Sequence, residues 1–442
     1  MPAKYANLAE LLAHRGRRFA ERCTNCGDCL KVCPLFPMTE AASKGPQAAI
    51  EAVTDLLKGG PVSDTAYEVA FSCTGACGLC ARVCSENLLP YMAFQSVIAR
   101  LADSGRQPPP LSYQYQPGHR YNFASVFSAL QMKPSDAHWF TRPPENPEPV
   151  DVLFFGGCSA TGTPHTLMEI VSILESMDIS YAALAGGVVC CGSAPLLYGD
   201  VQAAQNLGEN FVSVISSFRP KKAVFFCTGC HLSCIGLLPR FVPVPFESCE
   251  LTQFLVDNLD RIPFNKKVDK VVTVHDSCSV ARLGTFEASR TLLKAIPGIR
   301  LVEMEHNRAD ALCCGGVANT MRPEITRDMR LAPMNEARLT GADVMATICT
   351  GCQESFAPLE DAFGVEVRSY VSLVAEALGK SQPDTFKKLL KAGNIHAVLA
   401  AAGDKVASND LSVDELEEVL PAYLDRFCLK HAILADPDMP PI

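Results

Sequence analysis

One cysteine pattern occurs twice in this chain. Cys158, the pair Cys190 and Cys191 before Gly192, and Cys227-Thr-Gly-Cys230 return as Cys278, Cys313 and Cys314 before Gly315, and Cys349-Thr-Gly-Cys352, at offsets of 120, 123, 122 and 122 residues. The exits repeat as well, with FVPVPFESCELTQFLVDNL (241–259) answered by VEVRSYVSLVAEAL (365–378). Such self-similarity predicts two copies of one structural unit, placed at 149–262 and 263–380. Within them the short apolar runs DVLFFG (151–156), KAVFFC (222–227), KVVTVH (270–275) and DVMATI (343–348) read as buried strands. They alternate with helical spacing over 164–177 and 323–339, where Pro333 predicts a kink or break. The alternation predicts α/β layering around a largely parallel sheet in each unit.

The pattern also constrains the chemistry. Adjacent cysteines do not easily form a disulfide with each other, because their Cα atoms are only about 3.8 Å apart across a trans peptide. Both can ligate one compact metal cluster, and the glycine that follows removes a side chain where backbone approaches the inorganic core. The bland alternative is a pair of zinc knuckles at Cys227/Cys230 and Cys349/Cys352, with the double cysteines as buried small residues. Duplication of all five positions argues that all five are used.

A second cysteine group lies upstream. Cys23-x2-Cys26-x2-Cys29-x3-Cys33-Pro34 is the spacing by which three thiolates grip one iron–sulfur cube and the fourth reaches the neighbouring cube. Cys73-x3-Cys77-x2-Cys80-x3-Cys84 supplies a second quartet, with one extra residue after Cys73 and Ser85 in place of the proline. By this crossover rule one cubane takes Cys23, Cys26, Cys29 and Cys84, and the other Cys73, Cys77, Cys80 and Cys33. The intervening AAIEAVTDLLKGG reads as helix, so residues 1–104 are expected to form a helical ferredoxin-type domain with little sheet. Residues 105–148 are rich in proline and read as an extended connector, whose aromatic residues predict packing against both neighbours. Residues 381–442 read as an acidic helical tail with a capping box at Ser412 and Glu415. Eighteen of the 21 cysteines are thereby assigned as ligands, and Cys234, Cys249 and Cys428 are left over. The chain begins without an apolar signal segment, which favours a reducing compartment over a disulfide scaffold.

The order of two ferredoxin quartets and two Cys…Cys-Cys-Gly…Cys-x2-Cys repeats resembles the catalytic subunit of the two-subunit heterodisulfide reductases of methanogens. It is similar also to the iron–sulfur subunits of glycolate oxidase, anaerobic glycerol-3-phosphate dehydrogenase and lactate-utilisation enzymes. CCGSAPLLYGD (190–200) and HDSCSVAR (275–282) carry the likeness beyond the cysteines, although Ser277 and Ser279 stand where the family often has proline and histidine. The resemblance implies two CCG domains, each holding a noncubane four-iron cluster on its five cysteines, in addition to the two cubanes. It leaves His275 and Asp276 as candidates for proton donation or cluster tuning, against a plain core role for the histidine. Arg282 is read as a solvated surface arginine, with steering of an anionic substrate as the functional alternative.

No G-x-G-x-x-G turn and no G-x-x-x-x-G-K-[ST] loop is present, so flavin, nicotinamide and nucleotide are expected on other chains. The expected partner is a flavoprotein or dehydrogenase subunit, or a membrane haem or quinone-reactive subunit. A net charge of -9 gives no reason to expect nucleic acid, and no apolar run reaches the length of a membrane span. The expected location is cytoplasmic, with any membrane attachment made through a partner. Three functions compete: an electron-transfer subunit of an oxidoreductase, a catalytic disulfide reductase subunit, and a zinc-bearing scaffold.

Overall fold

A computed structural model describes residues 4–73, 75–107, 120–136, 143–318, 322–326, 328–392 and 394–427. Cys428 and the aromatic residues Tyr113, Tyr115, Trp139 and Phe140 lie outside them.

The N-terminal part is helical, with no strand among its described residues. Proline at the first position opens Pro46–Leu57 and Pro90–Asp103, where its missing N–H is not needed by the helix. Asp64–Ser72 is capped by the Ser63 hydroxyl, which accepts from the Ala66 N–H at 3.1 Å. These helices bury Ile50 and Val53, Val69 and Phe71, and Phe94 and Val97 in one core, to which Phe19 of Leu8–Arg22 contributes.

Two four-stranded sheets follow, and both are parallel throughout. The first uses β1 (Val152–Phe155), β2 (Tyr181–Leu184), β3 (Lys222–Phe225) and β4 (Ser248–Glu250) in the order β2-β1-β3-β4. The second uses β5 (Val271–His275), β6 (Arg300–Val302), β7 (Val344–Thr347) and β8 (Glu366–Ser369) in the order β6-β5-β7-β8. The four apolar runs are thus the two central strands of each sheet, buried on both faces as parallel strands require. The edge strands β2, β4, β6 and β8 are half-exposed, and their mixed composition hid them in the sequence.

One core joins the two units. Phe154 and Val224 of the first sheet and Val272, Val274, Val344 and Ala346 of the second face a shared layer that includes helices Pro164–Ser176 and Tyr370–Ala377. Pro333 does not break its helix. The break lies upstream, between Pro323–Thr326 and Leu331–Leu339, and Pro333 sits in the first turn of the second piece, where a helix tolerates it.

The connector is not wholly extended. Its helix Phe123–Gln131 puts Phe123, Phe127 and Leu130 into one core with Phe386, Leu389, Leu416, Leu420 and Tyr423 of the C-terminal segment. The apolar spacing of each segment is too short to stand alone, and only their pairing buries it. No helix among the described residues is long and apolar enough to cross a membrane.

Candidate iron–sulfur sites

In each sheet three of the four strands are followed by cysteines. Cys158 follows β1 and Cys227 follows β3, the two strands between which the order reverses, and Cys190 and Cys191 lie on the connection leaving β2. Cys278, Cys349 and the pair Cys313 and Cys314 take the equivalent places after β5, β7 and β6. In parallel α/β sheets that carboxyl-end crevice is where ligands bind.

In the first unit the thiols form a continuous contact series, Cys158 to Cys190 to Cys191 to Cys230 to Cys227. In the second, Cys314 Sγ lies 3.2 Å from Cys352 Sγ, Cys352 contacts Cys349, and Cys278 faces Cys313, Cys314 and Cys349. Backbone N–H groups point at these sulfurs: Gly192 at Cys190, Gly315 at Cys313 and Gly316 at Cys314, each at 3.4 Å. Gly192 is required there, since its φ is 82° and an added Cβ would meet the Ala204 carbonyl oxygen at 2.2 Å. Burial pushes the Cys278 thiol well up, as do the surrounding sulfurs, whereas the hydrogen bond from Cys352 first of all brings Cys349 down to about 7. Five soft sulfur donors drawn together out of water, with amide donors aimed at them, suit a cationic iron–sulfur core.

The ferredoxin quartets gather in the same way. Cys29 adjoins Cys23, Cys26 and Cys84, while Cys73 adjoins Cys80, Cys33 and Cys77, and Cys29 and Cys80 adjoin each other between the two groups. The eight quartet cysteines thus gather in one region, with Cys29 and Cys80 near each other. Burial raises the Cys80 thiol to about 12 and pushes up Cys23, Cys33 and Cys73 as well.

Tertiary contacts order the four groups. Cys313 adjoins Cys77 and Cys33, and Cys278 adjoins Cys77, so the second unit abuts the Cys33/Cys73/Cys77/Cys80 group. The two units meet through Thr228 and Ser279, whose hydroxyl oxygens are 2.6 Å apart in the buried interior.

Arg282 is not a surface residue. Its guanidinium donates to the Gly75 carbonyl at 2.7 Å and the Tyr91 hydroxyl at 2.8 Å, lies 4.4 Å from the Tyr91 ring centroid, and packs against Gly78. It fastens the second unit to the Cys73–Cys84 loop. His275 is buried, with Nε2 3.0 Å from the Leu312 carbonyl and its ring against Phe356. Burial lowers its pKa, so the neutral ring donates to the carbonyl just before Cys313. Asp276 accepts two hydrogen bonds from Arg290, at 2.9 and 2.8 Å, and a third from the Arg308 N–H at 2.6 Å. Both residues brace the loop that carries Cys313 and Cys314. Cys234 is buried beside Cys191 at a π-helical turn, Ser233–Leu237, and the position four residues past Cys352 holds Phe356 instead. Cys249 lies on β4, paired with Val224 of β3.

The fold and the clustered thiols define an iron–sulfur protein. Residues 19–88 match the 4Fe-4S dicluster domain, and residues 152–234 and 272–357 match the cysteine-rich domain called CCG. The chain is 28% identical to a subunit of the Dihydromethanophenazine:CoB--CoM heterodisulfide reductase of Methanosarcina barkeri, over 82% of this chain and 94% of that one. It is 25% identical to a subunit of the Fumarate reductase (CoM/CoB) of Methanothermobacter marburgensis, over 75% of this chain and 66% of that one. It is also 26% identical to a lactate utilization protein of Bacillus mycoides, over 43% of this chain and 80% of that one. The chain thus carries a 4Fe-4S dicluster domain and two CCG domains, and it is similar to subunits of heterodisulfide and fumarate reductases.

Proposed function

We propose that this chain is the electron-transfer subunit of a multi-subunit oxidoreductase, with a flavin-bearing partner. Cys23, Cys26, Cys29 and Cys84 would hold one cubane, and Cys33, Cys73, Cys77 and Cys80 the other. Cys158, Cys190, Cys191, Cys227 and Cys230, and Cys278, Cys313, Cys314, Cys349 and Cys352, would hold two noncubane four-iron clusters. Clusters held by thiolates alone supply single-electron exchange. The remaining work belongs to the protein: thiolates hold each group, amide donors offset the charge on the sulfurs, and burial keeps water out. The observation that carries the reading is that successive thiol groups lie within electrostatic reach of one another, from the Cys23 group through the Cys33 group to Cys77 and Cys313.

A second reading is supported by the completeness of both five-cysteine groups and their meeting at Thr228 and Ser279. In it the chain is the catalytic disulfide reductase subunit, the two sulfurs of the substrate being received at the two CCG sites. Iron and acid-labile sulfide analysis tests the common ground: about 16 irons per chain are expected from four four-iron clusters, and zinc with little sulfide would overturn both readings. Thiol titration of the oxidised protein then separates them. A new paramagnetic signal, with disulfide cleavage by the reduced protein, supports the second reading; neither leaves the first.

A further inference from the structure

A half-open cavity of about 210 Å³ lies where the N-terminal helix Leu8–Arg22 meets the first cysteine-rich unit. Lys4, His14, Arg15, Arg18 and Arg240 line it, and among the described residues no carboxylate does. Backbone N–H groups of Lys4 and Tyr5 both donate to the Arg240 carbonyl at 3.0 Å, which pins the two walls together. Tyr5 also lines it, its hydroxyl 3.0 Å from His14 Nδ1.

The charge balance at this seam is unusual for a chain of net charge -9. Arg15 Nη1 is buried without a hydrogen-bond partner among the described residues. Burial lowers its pKa to about 10, and the Arg240 and Arg282 charges act in the same direction. Of the acids close in sequence to the lining, Glu10 accepts from the Ala6 N–H at 2.8 Å and Glu86 lies 3.8 Å from Arg22. A guanidinium removed from water calls for an anion, and its fork of donors matches a carboxylate or phosphate.

The lining also has an apolar part, which includes Phe19, Leu88 and Met92. Phe19 and Leu88 also line the small cavity at Cys23, Cys26, Cys29 and Cys84. An occupant of the seam therefore lies across Phe19 and Leu88 from the first thiol quartet. We propose that this seam binds an amphipathic anion, its phosphate or carboxylate head held by Arg15 and Arg240 and its apolar body laid on Phe19, Leu88 and Met92.

The test is calorimetric titration of the full metal-loaded chain with hexyl phosphate, beside inorganic phosphate. Hexyl phosphate is expected to bind more tightly than inorganic phosphate by at least about tenfold, since each buried CH₂ contributes about 0.8 kcal/mol. Arg15→Gln and Arg240→Gln should each weaken binding by about tenfold, the loss of one charge-assisted hydrogen bond. Arg17→Gln, on the same helix but exposed and outside the cavity, should leave binding unchanged. Absence of heat with hexyl phosphate, or an equal loss in the Arg17 variant, overturns the proposal. Equal affinity for the two phosphates overturns its amphipathic part, and displacement of hexyl phosphate by hexaglutamate at lower concentration reassigns the seam to an acidic protein segment. If Arg15→Gln fails to fold by circular dichroism, the exposed Arg240→Gln carries the comparison.

Discussion

Thr228 Oγ1 and Ser279 Oγ, 51 residues apart in sequence, are joined by a buried hydrogen bond of 2.6 Å. Thr228 lies between Cys227 and Cys230, and Ser279 follows Cys278, so the bond fixes one cysteine loop of the first unit against one of the second. Thr228→Val alone leaves the Ser279 hydroxyl without its partner and is expected to cost about 1–3 kcal/mol. The double variant Thr228→Val with Ser279→Ala should cost less than the sum of the two single changes. Thermal denaturation of the four proteins measures the coupling, and strict additivity would show that the contact contributes nothing.

Arg282 ties the second unit to the Cys73–Cys84 loop by two hydrogen bonds and a ring contact. Arg282→Ala should speed amide hydrogen exchange over 75–84 and destabilise the chain by on the order of 2 kcal/mol. Lysine cannot reproduce the planar fork that reaches both acceptors while stacking on Tyr91, so Arg282→Lys should behave like the alanine variant. Recovery of wild-type exchange in the lysine variant would contradict this.

Asp276 and Arg290 form an ion pair whose side chains are 0% and 1% exposed. Asp276→Asn leaves a buried guanidinium with reduced compensation, and a loss of about 3–5 kcal/mol is expected, as for a broken buried pair. The readouts are the unfolding midpoint and the iron content, both of which should fall. An Asp276→Asn protein of unchanged stability and iron content that loses turnover would instead make this carboxylate a proton donor.

Gly192 permits no side chain, whereas Gly187 has open space around its Cα. Gly192→Ala should therefore lower iron by about four per chain while the ferredoxin-type quartets keep theirs, and Gly187→Ala should keep the full complement. Metal analysis of the two purified variants decides it. Full iron in Gly192→Ala would remove the first unit's loop from the binding site.

Glu169 connects the two units, accepting from the Ser372 hydroxyl at 2.6 Å and from the Gln382 N–H at 3.1 Å. Burial raises its pKa from 4.5 to about 7 against those two hydrogen bonds. A raised carboxyl binds its proton more tightly in the folded chain, so this contribution to stability is complete below 4.5 and is lost as pH rises through about 7. Glu169→Gln should remove that slope and lose no stability between these two pH values. Urea titrations at stepped pH check it, and parallel curves for the two proteins would refute it.

The sequence by itself determined what depends on spacing along the chain. Two quartets, two five-cysteine groups, four central strands and the helix Pro164–Ser176 were all legible, because turn geometry and apolar periodicity act over a few residues. The break expected at Pro333 lies upstream instead, between Pro323–Thr326 and Leu331–Leu339, with Pro333 in the first turn of the second helix. Tertiary structure alone decided which groups are neighbours. Arg282 and Gly75 are 207 residues apart, Phe123 and Phe386 share a core across the whole duplicated region, and Cys313 lies within electrostatic reach of Cys77. Such pairings depend on surfaces that complement one another only after each unit has folded, and no local pattern encodes them. The physical division is between the cysteine groups, which follow from local spacing, and their neighbourhood, which follows from packing.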